Sequence, residues 1–237
     1  MQYFAYTHAG KIRERNEDAV FVLNEGVTIA IVADGMGGHN AGNVAANAAT
    51  KGLYDYLKKK KKSISEADMK NGFLAANKSV FRMSYLKDEY FHMGTTMTAA
   101  VVNKNNVIVG HVGDSRAYVF SNELKLITHD HSLVQEMLER GVIDEETARF
   151  HPQKNIITRA IGTKRNVDVD VYSFHINTGD MMLLCSDGLT RYLSEKEIEN
   201  ILCRNGSIEE KVKVMGNLAL HRGGADNISI VGLLNID

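Results

Sequence analysis

Four short apolar runs in this chain each meet an aspartate at one end. Residues 27–33 run into Asp34-Gly35-Met36-Gly37-Gly38-His39, residues 107–112 into Gly113-Asp114-Ser115-Arg116, and residues 181–186 into Asp187-Gly188. Gly223-Gly224-Ala225-Asp226-Asn227 leads into residues 228–234, and the acidic pair Glu17-Asp18 precedes the apolar residues 19–23. The runs are rich in Val and Ile and bounded by Gly, Asn or Asp, which marks them as strands. Strand ends are rigid and open at a sheet edge, so carboxylates placed there converge at low entropic cost. Ionised carboxylates held close together push one another's pKa upward, and divalent cations relieve that repulsion. Carboxylate and carbonyl oxygens suit hard ions such as Mg²⁺ or Mn²⁺. Glycine directly after Asp34 and Asp187 lets the backbone come close to an ion. Taken singly, each Asp-Gly is a turn more often than a ligand. Four such aspartates at strand edges, with Glu17-Asp18 beside them, point to a metal centre.

Further strands are expected at 96–102 and 167–174, and Asn103–Asn106 between two apolar runs reads as a hairpin turn. Helices are expected at 43–57, 67–85, 132–140, 194–202 and 209–220. The second carries Phe73, Leu74, Ala76, Val80 and Met83 at helical spacing. Ser132 and Ser194 stand at N-cap positions, and Glu197 completes a capping box with Ser194. Paired helices between groups of strands, without regular β-α-β alternation, predict an α+β fold of mostly antiparallel sheets. Lys58–Lys62, five lysines in a row at a helix end, suit the helix dipole and read as a solvated turn.

The sequence has 237 residues, 44% hydrophobic and 24% charged, the make-up of an ordinary soluble globular protein. Without repeats or a Pro- or Ser-rich linker, a single domain over residues 1–237 is expected. A net charge of −1 gives no field for nucleic acid or an anionic membrane. No apolar run approaches the roughly 20 residues that span a bilayer, and the N-terminus has no secretory signal pattern. With Cys185 and Cys203 as the only cysteines, a disulfide framework is not expected and a cytoplasmic setting is.

Rival motifs fail on inspection. Gly35-Met36-Gly37-Gly38-His39-Asn40 follows a strand and precedes a helix, but Asn40 stands where a dinucleotide fingerprint requires glycine, and Asp34 would repel a pyrophosphate. There is no P-loop and no G-x-S-x-G elbow. Asp168-Val169-Asp170 has the spacing of an aspartyl nucleophile pair, yet it alternates within 167–174 and reads as the polar face of a strand.

Seven motifs then occur in a specific order: Arg13-Glu14-Arg15-Asn16-Glu17-Asp18, Asp34-Gly35-Met36-Gly37-Gly38-His39, Gly94-Thr95-Thr96, Gly113-Asp114-Ser115-Arg116, Thr158-Arg159-Ala160-Ile161-Gly162, Ser186-Asp187-Gly188-Leu189 and Asp226-Asn227-Ile228-Ser229. The chain resembles the type 2C, metal-dependent family of serine/threonine protein phosphatases in its compact bacterial form, over essentially its whole length. That resemblance implies a four-layer sandwich of two antiparallel β-sheets flanked by helices on both sides, with two ions, Mn²⁺ or Mg²⁺, at one end. It implies Asp34 as the bridge between them, the Gly35 carbonyl as a ligand, and Asp187 and Asp226 around one ion. Asp18 would help hold an ion and Glu17 would act through water. Asp114 with Asp187 would hold a weaker third ion. Arg13 would grip the substrate phosphate; without the resemblance, an ion pair with Glu17 four residues away is the simpler reading. The segment 128–157 matches the family's variable flap. Met36 stands where many eukaryotic members carry histidine, so His39 is the nearest candidate to assist the leaving group.

A water bridging two ions loses its proton more readily and attacks phosphorus in line, which leaves no phosphoenzyme. The expected activity is hydrolysis of phosphoserine and phosphothreonine in phosphorylated proteins by a monomer that opposes a bacterial Ser/Thr kinase. A non-catalytic phosphoprotein-binding module and a metallohydrolase of small phosphate esters are the alternatives.

Overall fold

The computed structural model describes residues 1–37, 41–60 and 64–236. Its strands are β1 (Gln2–His8), β2 (Ala19–Asn24), β3 (Thr28–Ala33), β4 (Gly35–Met36), β5 (Gly94–Thr95), β6 (Met97–Asn103), β7 (Asn106–Val112), β8 (Arg116–Phe120), β9 (Leu124–Leu126), β10 (Asp170–His175), β11 (Met181–Cys185) and β12 (Ile228–Leu234). Its α-helices are α1 (Ala41–Leu57), α2 (Glu66–Met83), α3 (Leu133–Glu139), α4 (Glu145–Phe150), α5 (Asp187–Thr190), α6 (Glu195–Leu202) and α7 (Ile208–His221).

Two five-stranded sheets form, in the orders β1-β12-β11-β8-β9 and β10-β7-β6-β3-β2, with every pairing antiparallel. Period-two alternation explains how they stack. In β3, Ala30 and Val32 join Ala100 and Val102 of β6 and meet Met182, Leu184, Val231 and Leu233 of the other sheet. The intervening Ile29, Ile31 and Ala33 pack outward with Leu53 of α1 and Phe73 of α2. Leu183 and Cys185 of β11 likewise face Ile198 of α6 and Val212 of α7. Strands buried on both faces therefore read as continuous apolar runs, and the result is the expected layering of helices, sheet, sheet and helices. No helix of the described residues is long and apolar enough to cross a membrane.

Local signals account for most boundaries. Ser65, Ser194 and Ser207 each complete a capping box, with Asp68, Glu197 and Glu210 respectively. The expected hairpin is β6–β7, with Lys104 in the left-handed region at φ 52°. Two readings change. The strand expected at 167–174 begins only at Asp170, so Asp168 lies outside it. Asp187-Gly188 opens α5 rather than a turn, with Ser186 at the N-cap position. Lysines 58–60 form a 3₁₀ turn in which Lys58 pairs with Asp55 and Lys60 with Asp68, while Lys61 and Lys62 lie outside the described residues.

Candidate metal centre

Antiparallel pairing gathers the aspartates. Because β2 runs against β3, Ala19 stands opposite Ala33, which sets Asp18 beside Asp34 at one end of the sheet. Because β11 runs against β12, the end of the first, leading to Asp187, meets the beginning of the second, preceded by Asp226. The turn from β7 to β8 carries Asp114. Together they form a cleft of about 290 Å³ lined by Arg13, Glu17, Asp34, Asp114, Asp187 and Asp226, with Gly35 and Met36 on its wall. Asp18 is buried behind them at 6% exposure.

The cleft holds more negative charge than the protein neutralises. Burial, reinforced by Asp18, Asp187, Asp114 and Asp226, holds Asp34 well above the ordinary carboxylate range. Asp18 is pushed up to about 7, first by burial and then by Asp187 and Asp226, against the opposing hydroxyls of Ser229 and Ser186. Asp114 is also pushed up to about 7, by burial first and then by Asp187 and Asp130. Each effect has the sign expected of a desolvated anion among anions.

Hydrogen bonding shows where this charge is left open. The Ser186 hydroxyl donates to Asp18 Oδ2 at 2.9 Å, and Arg191 Nη2 donates to Asp187 Oδ2 at 2.7 Å. In both residues the other oxygen, Oδ1, is buried without a hydrogen-bond partner among the described residues. Leaving such an acceptor unsatisfied is costly unless something else meets it. Hard oxygens held by one arm and open on the other fit a divalent cation. Among the described residues no three His, Cys, Asp or Glu side chains stand as a ready-made ligand group; arginines occupy the intervening space. Arg13 donates from Nε to Asp226 Oδ1 at 2.9 Å and from Nη2 to Oδ2 at 3.1 Å, so its ion pair is with Asp226 and not with Glu17.

Other residues fix the walls. The Asp34 N–H donates to Thr96 Oγ1 at 3.0 Å, and the Thr96 N–H donates to the Asp34 carbonyl at 2.9 Å. Thr96 Oγ1 also meets Ser115 Oγ at 2.7 Å. Glu17 donates its N–H to Asn227 Oδ1 at 2.8 Å, and the N–H groups of Gly42 and Asn43 at the start of α1 act on its carboxylate. Burial still outweighs these and raises Glu17. The glycines after the aspartates are also required by packing. A Cβ on Gly35 would lie 2.2 Å from the Gly42 carbonyl oxygen, and one on Gly188 would lie 1.9 Å from that of Asn227. Both glycines let two stretches of protein backbone touch. His39 lies outside the described residues.

Sequence reasoning missed two features. One is Arg191, which reaches both Asp187 and Asp226; its spacing of four from Asp187 carries a signal only once 187–190 is known to be helical. The other is a network next to Asp114 in which His131 is buried and Asp170 and Arg159 are partly exposed. His131 Nδ1 accepts from the Gly113 N–H at 3.0 Å, while the His131 N–H donates to the Gly113 carbonyl at 2.7 Å. His131 Nε2 faces Asp170 Oδ2 at 3.0 Å, and Arg159 Nη1 donates to Asp170 Oδ1 at 3.1 Å. Asp170, read from sequence as a polar strand residue, opens β10 and also anchors this histidine.

Comparison with known proteins gives one answer. A family profile described as protein phosphatase 2C matches residues 8–220. A serine/threonine phosphatase, stp, of Listeria welshimeri is 40% identical over 232 residues, covering 95% of this chain and 92% of the relative. The crystal structure of the Mycobacterium tuberculosis serine/threonine phosphatase PstP/Ppp is similar at a TM-score of 0.92 and 32% identity, covering 100% of this chain and 99% of the other. The catalytic domain of PstP in complex with two manganese ions is similar at a TM-score of 0.90 and 31% identity, covering 100% and 98%.

Proposed function

This chain belongs to the protein phosphatase 2C family of metal-dependent serine/threonine protein phosphatases, and from that premise we propose how its own residues divide the work. Asp18, Asp34, Asp187, Asp226 and the Gly35 carbonyl hold two divalent ions, Mn²⁺ or Mg²⁺, and Asp114 with Asp187 holds a weaker third. The observation that carries this reading is the pair of buried, unpartnered Oδ1 atoms on Asp18 and Asp187, each with its sister oxygen tied down.

Bound ions supply a water that is nucleophilic near neutral pH and positive charge for the phosphoryl oxygens. The chain does the rest. Ser186 and Arg191 hold Asp18 and Asp187 by one oxygen each, so the open oxygens keep a fixed direction. Thr96 pins Asp34 through its backbone on both sides. Arg13 is half-exposed at the rim, and its planar fork, partly engaged by Asp226, can turn two N–H groups to a substrate phosphate. Glu17, held against the start of α1, acts through water. His39 is assigned to the leaving serine or threonine oxygen.

The chain acts as a single domain over residues 1–237, with 128–157 as a flap beside the cleft, as a cytoplasmic monomer opposing a Ser/Thr kinase. Phosphate release from a phosphothreonine peptide, with Mn²⁺ and then with excess chelator, tests the mechanism. Activity that survives full chelation would sink it.

A further inference from the structure

Arg191 differs from Arg13 in where its charge sits. It follows Asp187 by four residues, so the turn of α5 brings its head back over the start of that helix. A single nitrogen, Nη2, lies 2.7 Å from Asp187 Oδ2 and 3.4 Å from Asp226 Oδ2. The side chain is only 26% exposed, against 53% for Arg13, which approaches Asp226 from the open rim. Asp187 and Asp226 are the two carboxylates assigned above to one ion. The nitrogen between them therefore stands where a cation that needs both would go.

A guanidinium and a divalent ion cannot share that gap. An ion bound to carboxylate oxygens at about 2.0–2.1 Å would meet the arginine's positive charge at close range, where little water screens it. The arginine has somewhere to turn. A larger cavity of about 870 Å³, running between the 128–157 segment and α6, shares Asp114, Asn155, Asp187 and Arg191 with the metal cleft. Arg191 lines both, so a change of side-chain torsion moves its head from one to the other without moving the backbone.

We propose that Arg191 is an internal counter-cation of the metal cleft: it holds Asp187 and Asp226 together while no ion is bound, and it must turn out for an ion to coordinate both. The proposal rests on the reading that these two aspartates share an ion. Its signature is a pair of effects of opposite sign. Loss of the charge weakens the metal-free protein and strengthens metal binding, whereas a residue that only orients Asp187 would weaken both.

The experiment uses the full chain stripped by chelator and then freed of it. Mn²⁺ binding is measured by titration calorimetry, and melting in chelator by scanning calorimetry. R191Q keeps length and hydrogen-bonding capacity without charge. It should bind Mn²⁺ about 3- to 10-fold more tightly, the scale of one nearby like charge removed. In chelator it should melt lower by about 2–4 °C, the scale of one lost charged pair in a chain of this size. R191K should restore both values most of the way, and R191M, which also lacks the charge, carries the same titration if R191Q does not fold. Mn²⁺ affinity in R191Q that is unchanged or weaker overturns the proposal. D226N separates the two layers. If D226N binds Mn²⁺ as well as wild type, the shared-ion reading itself falls, and the counter-cation with it. If D226N binds more weakly while R191Q does not bind more tightly, the counter-cation alone is overturned.

Discussion

Two polar regions meet at Gly113-Asp114, and they solve the problem of buried charge in opposite ways. On one side, Asp18, Asp34 and Asp114 are raised by burial and by neighbouring carboxylates, and two carboxylate oxygens have no hydrogen-bond partner among the described residues. On the other, Asp170 is only partly buried and is lowered: burial raises it, but His131 and Arg159 meet its charge. Burial lowers the pKa of His131, against the opposing pull of Asp170. Both ring nitrogens of His111 are also engaged, by Thr98 Oγ1 and the His129 carbonyl, each at 2.9 Å, and its pKa falls to about 4, chiefly through desolvation. A network with internal partners fixes the scaffold; a cluster without them marks where a ligand belongs. The difference separates structure from function within a few residues of one turn.

The comparison breaks first at Asp34. Asp34→Ala should lower kcat/KM on a phosphothreonine peptide by more than about 100-fold, beyond the loss usual for a merely supporting contact of a metal site. It should leave melting in chelator no lower than wild type, because it removes a repelling charge. A variant that kept most of its activity would dissolve the distinction between the two regions.

The next largest effect is on pH dependence. Asp18 and Asp114 titrate near 7 in the fold against 3.8 for the free side chain, so between these values the native state keeps protons that the unfolded chain has released. Their contribution to stability is fully present below about 3.8 and is lost as pH rises to about 7. Chelated protein should therefore gain stability, on the order of 4 kcal/mol for each group at roughly 1.4 kcal/mol per unit, as pH falls through that window. Saturating Mn²⁺ should abolish or reverse the trend. Asp170 has the opposite sign: its contribution is present above the unfolded carboxylate range and is lost as pH falls through its lowered value. Denaturant titrations at several pH values, with and without Mn²⁺, separate the two.

His131→Ala should cost about 1–3 kcal/mol in denaturant unfolding, since it strips the partner from the Gly113 N–H. Tyr172→Phe should cost less than about 0.5 kcal/mol, because its hydroxyl reaches Asp170 Oδ2 only at 3.4 Å. Equal costs for the two would mean that the satisfied region is not organised around His131.

The fold was legible wherever a signal was local. Capping serines placed α6, and apolar runs buried on both faces placed β3, β7, β11 and β12. Strand β1 was not legible. It is an edge strand of mixed exposure whose partners in β12 lie more than two hundred residues away, as Gln2 opposite Leu234 shows. The short α4 lies within the 128–157 segment, whose composition resembles a loop. In the site, the aspartates were readable because each ends a strand, whereas their pairing with Arg13 and Arg191 depends on how loops fold over the sheet edge. Asp170 was placed on its strand, but its second role was not readable, because a carboxylate on a strand's polar face and one that anchors a buried histidine look alike until His131 is brought against it.

One contact has a further consequence. The Cα of Gly188 rests so near the Asn227 carbonyl that no side chain fits between them, and each of these residues adjoins an aspartate of the cleft. The gap between Asp187 and Asp226 is thus gauged by the thickness of the main chain, as a feeler blade sets a clearance. Rotamers can vary around that gauge without resetting it. Gly188→Ala, one methyl group remote from solvent, would change the clearance itself, and every oxygen in the cleft would have to find its distance again.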